Sequence, residues 1–236
     1  MKKQVTIIIG ILAVAILGVL GYFTLVRDCR NGATVDSIAF KQSYEELNGQ
    51  LRDANDPDRV FKSIYIPEVN PFRFVEYDEI MGLLENGGTG VVLLGIPTCP
   101  WCRNLVPVLA SAAIDFGVKD ILYRDILDDR DILTRDAAGN IVTEREGDAG
   151  YMRLLEALGD LAPPYRDLGD ESIRRIHVPV VLFIENGEII RYQTSLQSFV
   201  DRVEGEELGG WMSMNEAEEQ ELTELFNHYF ERLFGR

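Results

Sequence analysis

Cys99 and Cys102, separated by Pro100-Trp101, are the residues of this chain best suited to covalent chemistry. A CxxC pair serves thiol–disulfide exchange, contributes half of a zinc site, or closes an inert disulfide. An inert bridge over so small a loop removes little entropy from the unfolded chain and stabilises weakly. Zinc wants four ligands, and the chain offers only Cys29, His177 and His228 beyond the pair. Exchange chemistry needs a thiol held partly as thiolate and a second thiol within reach to resolve the mixed disulfide. It is the reading that the neighbouring residues favour.

Those neighbours are a strand and a helix. Val91-Val92-Leu93-Leu94 is a continuous apolar run, too short for a helix and rich in β-branched residues, so it reads as a buried strand. Leu105, Val106, Val108, Leu109 and Ala112 recur at helical spacing from there to about Phe116. The pair therefore lies where a strand hands over to a helix N-terminus. Pro100 suits the first helical position, which makes Cys99 the N-cap. Unpaired N–H groups and the positive end of the helix dipole then favour its thiolate. Cys102 lies one turn on, within reach of a disulfide once the first turn adjusts.

The rest of the chain gives a mixed sheet sandwiched by helices. Asp36 is placed to cap a helix from Ser37 to about Asp53, with Phe40, Tyr44, Leu47 and Leu51 on one stripe and Asn55-Asp56-Pro57 ending it. Val60 to Ile66 reads as extended, and Phe72 to Tyr77 alternates as a strand. A short helix from Asp78 to Leu84 stops at Asn86-Gly87-Gly88, and Asp120 to Ile126 is another alternating strand. Residues 127–175 are polar and charge-dense, with a turn at Ala138-Gly139-Asn140, a helix from about Asp148 to Leu158 and Pro163-Pro164 beyond it. They read as an insertion of mostly surface structure. Val180 to Ile184, Asn186-Gly187 and Ile189 to Gln193 form a hairpin, 194–214 a loop, and Asn215 with Glu218 caps a last helix. That helix carries Leu222, Leu225, Phe226, Tyr229 and Leu233 on one face.

The 236 residues hold 46% hydrophobic residues and a formal net charge of −16, which argues against a nucleic-acid partner. Val5 to Val26 has no charged residue and is long enough to cross a bilayer. A signal anchor is the reading adopted, with a cleaved signal peptide as the competitor. Cys29 lacks the small uncharged residues that a lipoprotein signal places before it, so it reads as a linker thiol. Lys2 and Lys3 are nearly balanced by Arg27 and Arg30, but the oxidisable pair points the domain outward. The expected organisation is a cytoplasmic tail (1–4), a transmembrane anchor (5–26), a linker (27–35), an N-terminal helical extension (36–70) and one domain (71–236) with its insertion (127–175). The location is the cell membrane, single-pass, with the domain extracytoplasmic. The linker spans at most about 30 Å, so substrates or a membrane redox partner lie near the bilayer.

This order resembles the thioredoxin superfamily on three features. They are Cys99-Pro100-Trp101-Cys102 at a strand-to-helix junction, Pro107 five residues after Cys102, and Val178-Pro179-Val180-Val181-Leu182-Phe183-Ile184-Glu185-Asn186-Gly187-Glu188. The likeness covers Phe72 to Tyr192 and the last helix. It extends to thioredoxin-like proteins of Gram-positive bacteria, including bacteriocin transport accessory proteins, which carry a similar Pro-x-Cys-Pro-aromatic-Cys-Arg stretch. The resemblance implies a thioredoxin fold, Cys99 as nucleophile, Cys102 as resolving thiol, and Pro179 as a cis-proline whose neighbour Val178 pairs with the substrate backbone. An ordinary trans-proline opening a strand is the alternative. The chain departs from the family at Leu93, where a buried Asp is usual, at Thr98, usually Trp, and at Ser195, where Gly is expected. Without that Asp, Cys102 needs another base or water.

Around the pair, Trp101 reads as an apolar rim that meets substrate, and Arg103 as a solvated residue. His177 is either a cation beside the Cys99 thiolate or a surface residue at a strand entrance. His228 and Trp211 read as structural. The function expected is a membrane-tethered thiol–disulfide oxidoreductase acting on protein disulfides and dithiols outside the cytoplasm, without metal or cofactor. Its rivals are a copper or zinc carrier using Cys99, Cys102 and His177, and an adaptor whose insertion and acidic surface recruit a partner.

Overall fold

A computed structural model of the chain describes residues 32–235. The expected tail (1–4), anchor (5–26), Cys29 and most of the linker lie outside these residues. Among the described residues no helix is long and apolar enough to cross a membrane.

The first helix, α1 (Val35–Glu45), starts earlier and ends sooner than its sequence period implies. Thr34, not Asp36, caps it, through a reciprocal pair of hydrogen bonds with Ser37. Phe40 and Tyr44 face inward as expected, and Phe40 stacks on Phe72 with ring centroids 4.0 Å apart. Leu51 does not continue the stripe. It opens an antiparallel hairpin of β1 (Leu51–Asp53) and β2 (Asp56–Val60), entered through Gly49 at φ +71°. Asn55 thus sits in a hairpin turn, its N–H donating to Asp53 Oδ1. Residues 61–71 then run without regular structure. Asn48 holds them by bonding both backbone groups of Ile64.

The sheet has the order β3-β5-β4-β8-β9. β3 (Phe72–Phe74), β4 (Gly90–Gly95) and β5 (Ile121–Asp125) are mutually parallel, while β8 (Val180–Glu185) runs antiparallel to β4 and β9 (Glu188–Gln193) antiparallel to β8. β4 is the middle strand and is covered on both faces, which is why its sequence is continuously apolar. Its side chains divide two cores. Val91 and Leu93 join α1, α3 (Pro100–Phe116) and α6 (Glu216–Phe234), while Val92 and Leu94 join α2 (Tyr77–Glu85) on the other face. The β8–β9 turn places Asn186 and Gly187 both at positive φ, as the sequence anticipates. Asn215 and Glu218 form the expected capping box, and α6 buries Leu222 and Phe226, together with Phe230, which the sequence reading leaves out.

Two stretches correct that reading. The segment 194–214 is not simply loop, because it holds α5 (Gln197–Val203), burying Phe199 and Val203, and a 3-10 turn, Gly209–Trp211. Three apolar positions in seven residues are too few to announce a helix. Within 127–175, the hairpin of β6 (Ile132–Arg135) and β7 (Ile141–Arg145) and the stretch 166–172 are largely surface structure. α4 (Ala149–Leu158) is core: Tyr151, Leu154, Leu155 and Leu158 close the second face of the sheet with Ala162 and Ile176. Smaller shifts are a β3 that stops at Phe74 and an α2 that starts at Tyr77, with Glu76 rather than Asp78 at the N-cap position and no side-chain capping bond. A five-stranded mixed sheet with helices on both faces is compatible with a thioredoxin-like fold.

Candidate functional site

The pair sits where β4 ends. Gly95 leads through Ile96-Pro97-Thr98 into α3, with Cys99 as N-cap at φ −80°, ψ 120° and Pro100 in the first turn. Both sulfurs are free thiols; Cys99 is partly exposed and Cys102 fully buried. Their ionisation diverges. Cys99 is held below the ordinary thiol value, chiefly because Cys102 donates a hydrogen bond to its sulfur, against a cost from burial. The first-turn N–H groups of Cys102 and Trp101 and the Arg130 guanidinium add to this, although the neutral thiol closes no capping hydrogen bond. Cys102 is pushed well up, by burial first and by its bond to Cys99 second. The outer thiol is the one disposed to attack.

β8 brings up the opposite wall. Leu94 faces Val180 in the antiparallel register, so two residues further along Val178 comes opposite Ile96. The Val178–Pro179 bond is cis, and Cys99 Sγ lies 3.6 Å from the Val178 carbonyl oxygen, to which the thiol donates. Cys99, Cys102, Val178 and Pro179 are thus brought together.

Behind Cys102 the packing is tight. A Cβ on Gly95 would stand 2.9 Å from Tyr44 Oη, 3.3 Å from Tyr123 Cε2 and 3.9 Å from Cys102 Sγ, so a side chain there would have to displace Tyr44. Leu93, at the position where the family has Asp, is fully buried and apolar. On the next strand Asp125 pairs in register with Gly95, and its charge falls on Cys102. Burial holds its pKa above the usual carboxylate range.

Arg103 is not solvated. It is fully buried, and its guanidinium donates to the carbonyls of Tyr44 (2.7 Å), Lys62 (2.7 and 3.1 Å) and Pro97 (3.3 Å) and to Asn48 Oδ1 (2.6 Å). The Tyr44 carbonyl belongs to the last turn of α1, where a cation complements the helix dipole. Asn104 beside it is buried too and bonds the carbonyls of Gly210 and Met212. Two consecutive polar residues inside an otherwise apolar helix were the available signal. Trp101 is only partly a rim: its ring packs edge-on against Phe199 at 5.3 Å, and a Cβ on Gly210 would fall 2.4 Å from it.

His177 does not supply the cation beside Cys99. Burial first, then Arg166, Arg175 and Arg130, lower its pKa to about 4, so it is neutral at pH 7. The cation near the sulfur is Arg130, five residues beyond β5. No group of three or more His, Cys, Asp or Glu side chains that could hold a metal occurs among the described residues. Trp211 packs on Phe61, and exposed His228 touches Tyr229. No family model and no curated protein matches the chain.

Proposed function

We propose that the chain is a thiol–disulfide oxidoreductase of the thioredoxin superfamily, acting on protein disulfides and dithiols through Cys99 and Cys102. The observation that carries this is a partly exposed, acidified thiol at a helix N-cap, one turn from a buried thiol and 3.6 Å from the Val178 carbonyl before a cis-proline. The strand order and the position of the pair between β4 and α3 support the fold assignment.

The Cys99 thiolate attacks one sulfur of a substrate disulfide while the substrate backbone pairs at Val178. The S–S bond breaks, and the departing sulfur keeps the electron pair and takes a proton from solvent, leaving a Cys99–substrate mixed disulfide. Cys102 then gives its proton towards Asp125, whose raised pKa makes it the better acceptor, and attacks Cys99 Sγ. The Cys99–substrate bond breaks, and the second substrate sulfur leaves with the electron pair and takes up the proton that Cys102 released. Two electrons and two protons have moved from the pair to the substrate, and the reverse sequence oxidises a substrate dithiol. A partner dithiol or disulfide returns the pair to its starting state. The apolar segment 5–26 supports a tether that keeps this domain on the outer face of a membrane, near maturing secreted or membrane proteins.

The test is trapping. Cys102→Ser should accumulate a mixed disulfide with a disulfide-bonded peptide, visible as a reducible mass adduct at Cys99. Cys99→Ser should lose exchange entirely. Full exchange activity in Cys99→Ser sinks the assignment.

A further inference from the structure

Arg130, whose charge acts on Cys99, is one of a group of arginines on the Val178 side of the pair, and the exchange chemistry leaves Arg166 and Arg175 unused. Arg175 gathers them: its Nη2 donates to the Asp131 carbonyl at 2.8 Å, next to Arg130, and its guanidinium lies 4.4 Å from the ring centre of Tyr165, next to Arg166. The Nε atoms of Arg130 and Arg175 are buried without a hydrogen-bond partner. Among the described residues no ion pair engages Arg130, Arg166 or Arg175, whereas Arg73, Arg124, Arg153, Arg202 and Arg232 all meet carboxylates. One carboxylate, buried Asp131, belongs to the group, and its Oδ1 meets no donor. Asp125 lies within electrostatic reach of Arg130 and Glu146 within reach of Asp131, yet among the described residues no carboxylate closes an ion pair with any of the three guanidiniums in a chain of net charge −16. Arg130 and Arg175 are half-buried and Arg166 is exposed, and a half-buried cation left unpaired is costly unless an anion completes it.

We propose that Arg130, Arg166 and Arg175 form an anion subsite that takes a substrate carboxylate, so that the protein prefers peptides with an acidic residue one to three positions from the reacting cysteine. The spacing follows from the chain itself. Val178 touches Cys99, an extended residue advances about 3.3 Å, and Arg175 lies three residues before Val178. A substrate strand paired at Val178 carries its flanking side chains past these guanidiniums, which bind carboxylates in a fork geometry. The inference rests on the exchange reading.

Three disulfide-linked peptides that differ only in Asp, Asn or Lys two residues from the cysteine test it on the full chain. Global charge and local site predict opposite orders, because a net charge of −16 steers cationic peptides inward. The subsite predicts Asp over Asn over Lys, with about tenfold in kcat/KM between Asp and Asn, carried mainly by KM. Arg166→Gln and Arg175→Gln should each shrink the Asp/Asn ratio towards one. The ratio is read within each variant, so a general loss of activity cancels. Lys equal to or better than Asp in the wild type, or a ratio unmoved in both variants, overturns the subsite. If no peptide reacts at all, including the Asn one, the exchange reading fails instead.

Discussion

Cys99 and Cys102 carry the same side chain one helical turn apart, yet the protein pushes their ionisation in opposite directions. The outer sulfur accepts a hydrogen bond and faces N–H groups and the Arg130 cation, whereas the inner one is desolvated. Removing a cation destabilises the anion beside it. Arg130→Gln should therefore raise the midpoint of Cys99 alkylation with pH, followed by mass spectrometry, and leave Cys102 unreactive while Cys99 is thiolate. An unmoved midpoint would remove Arg130 from the site. His177 gives a stability signature. Its folded pKa of about 4 lies below its unfolded value of about 6.5, so between these the unfolded chain binds the extra proton. Stability should then fall as pH drops from about 6.5 to about 4, and His177→Gln should flatten that part of the curve in denaturant titrations. The placement of Cys99 and Cys102 at a helix start was legible because strand and cap signals are local, whereas the cis bond before Pro179 was expected only through the family resemblance. Arg130 and Asp125 were not legible, since each reaches the site only through the register of β5 beside β4 and the loop that follows it.

At the scale of elements, what matters is which parts of 127–175 hold the sheet. α4 closes its second face, and the β6–β7 hairpin does not. Leu154 is fully buried, so Leu154→Ala should cost about 2–5 kcal/mol and lower Tm by roughly 5–15 °C. Val142, 39% exposed on β7, should tolerate Ala within about 0.5 kcal/mol. Thermal melts of the two variants side by side check this, and equal losses would contradict the layer assignment. The same contrast shows where the sequence misled. α4 offered four apolar residues at helical spacing inside a polar stretch, and composition outweighed period. In α1 the error ran the other way: Leu47 and Leu51 kept the helical period while Gly49 turned the chain into a hairpin. β4 and β8 were readable because burial on both faces leaves unbroken apolar runs, and β3 and β5 because their residues alternate.

For the whole molecule, Arg103 ties the N-terminal extension to the loop before Cys99. Its donors reach the end of α1, Asn48, Lys62 and Pro97, so the segment 36–70 and the cysteine pair are coupled through one buried side chain. Arg103→Ala leaves these acceptors buried without donors and should cost upward of about 3 kcal/mol. Arg103→Lys should rescue little, because an ammonium cannot replace the guanidinium fork. Chemical denaturation of both variants reads this directly. The central claim is that Cys99 and Cys102 act as one two-electron couple. The direct measurement is a redox titration of the Cys29→Ser chain against reduced and oxidised glutathione, with the thiol state of each cysteine read by mass after alkylation. Both thiols should disappear together along a single two-electron curve, forming a disulfide between Cys99 and Cys102. Independent titration of the two cysteines, or glutathione adducts at Cys99 that Cys102 never resolves, would contradict it.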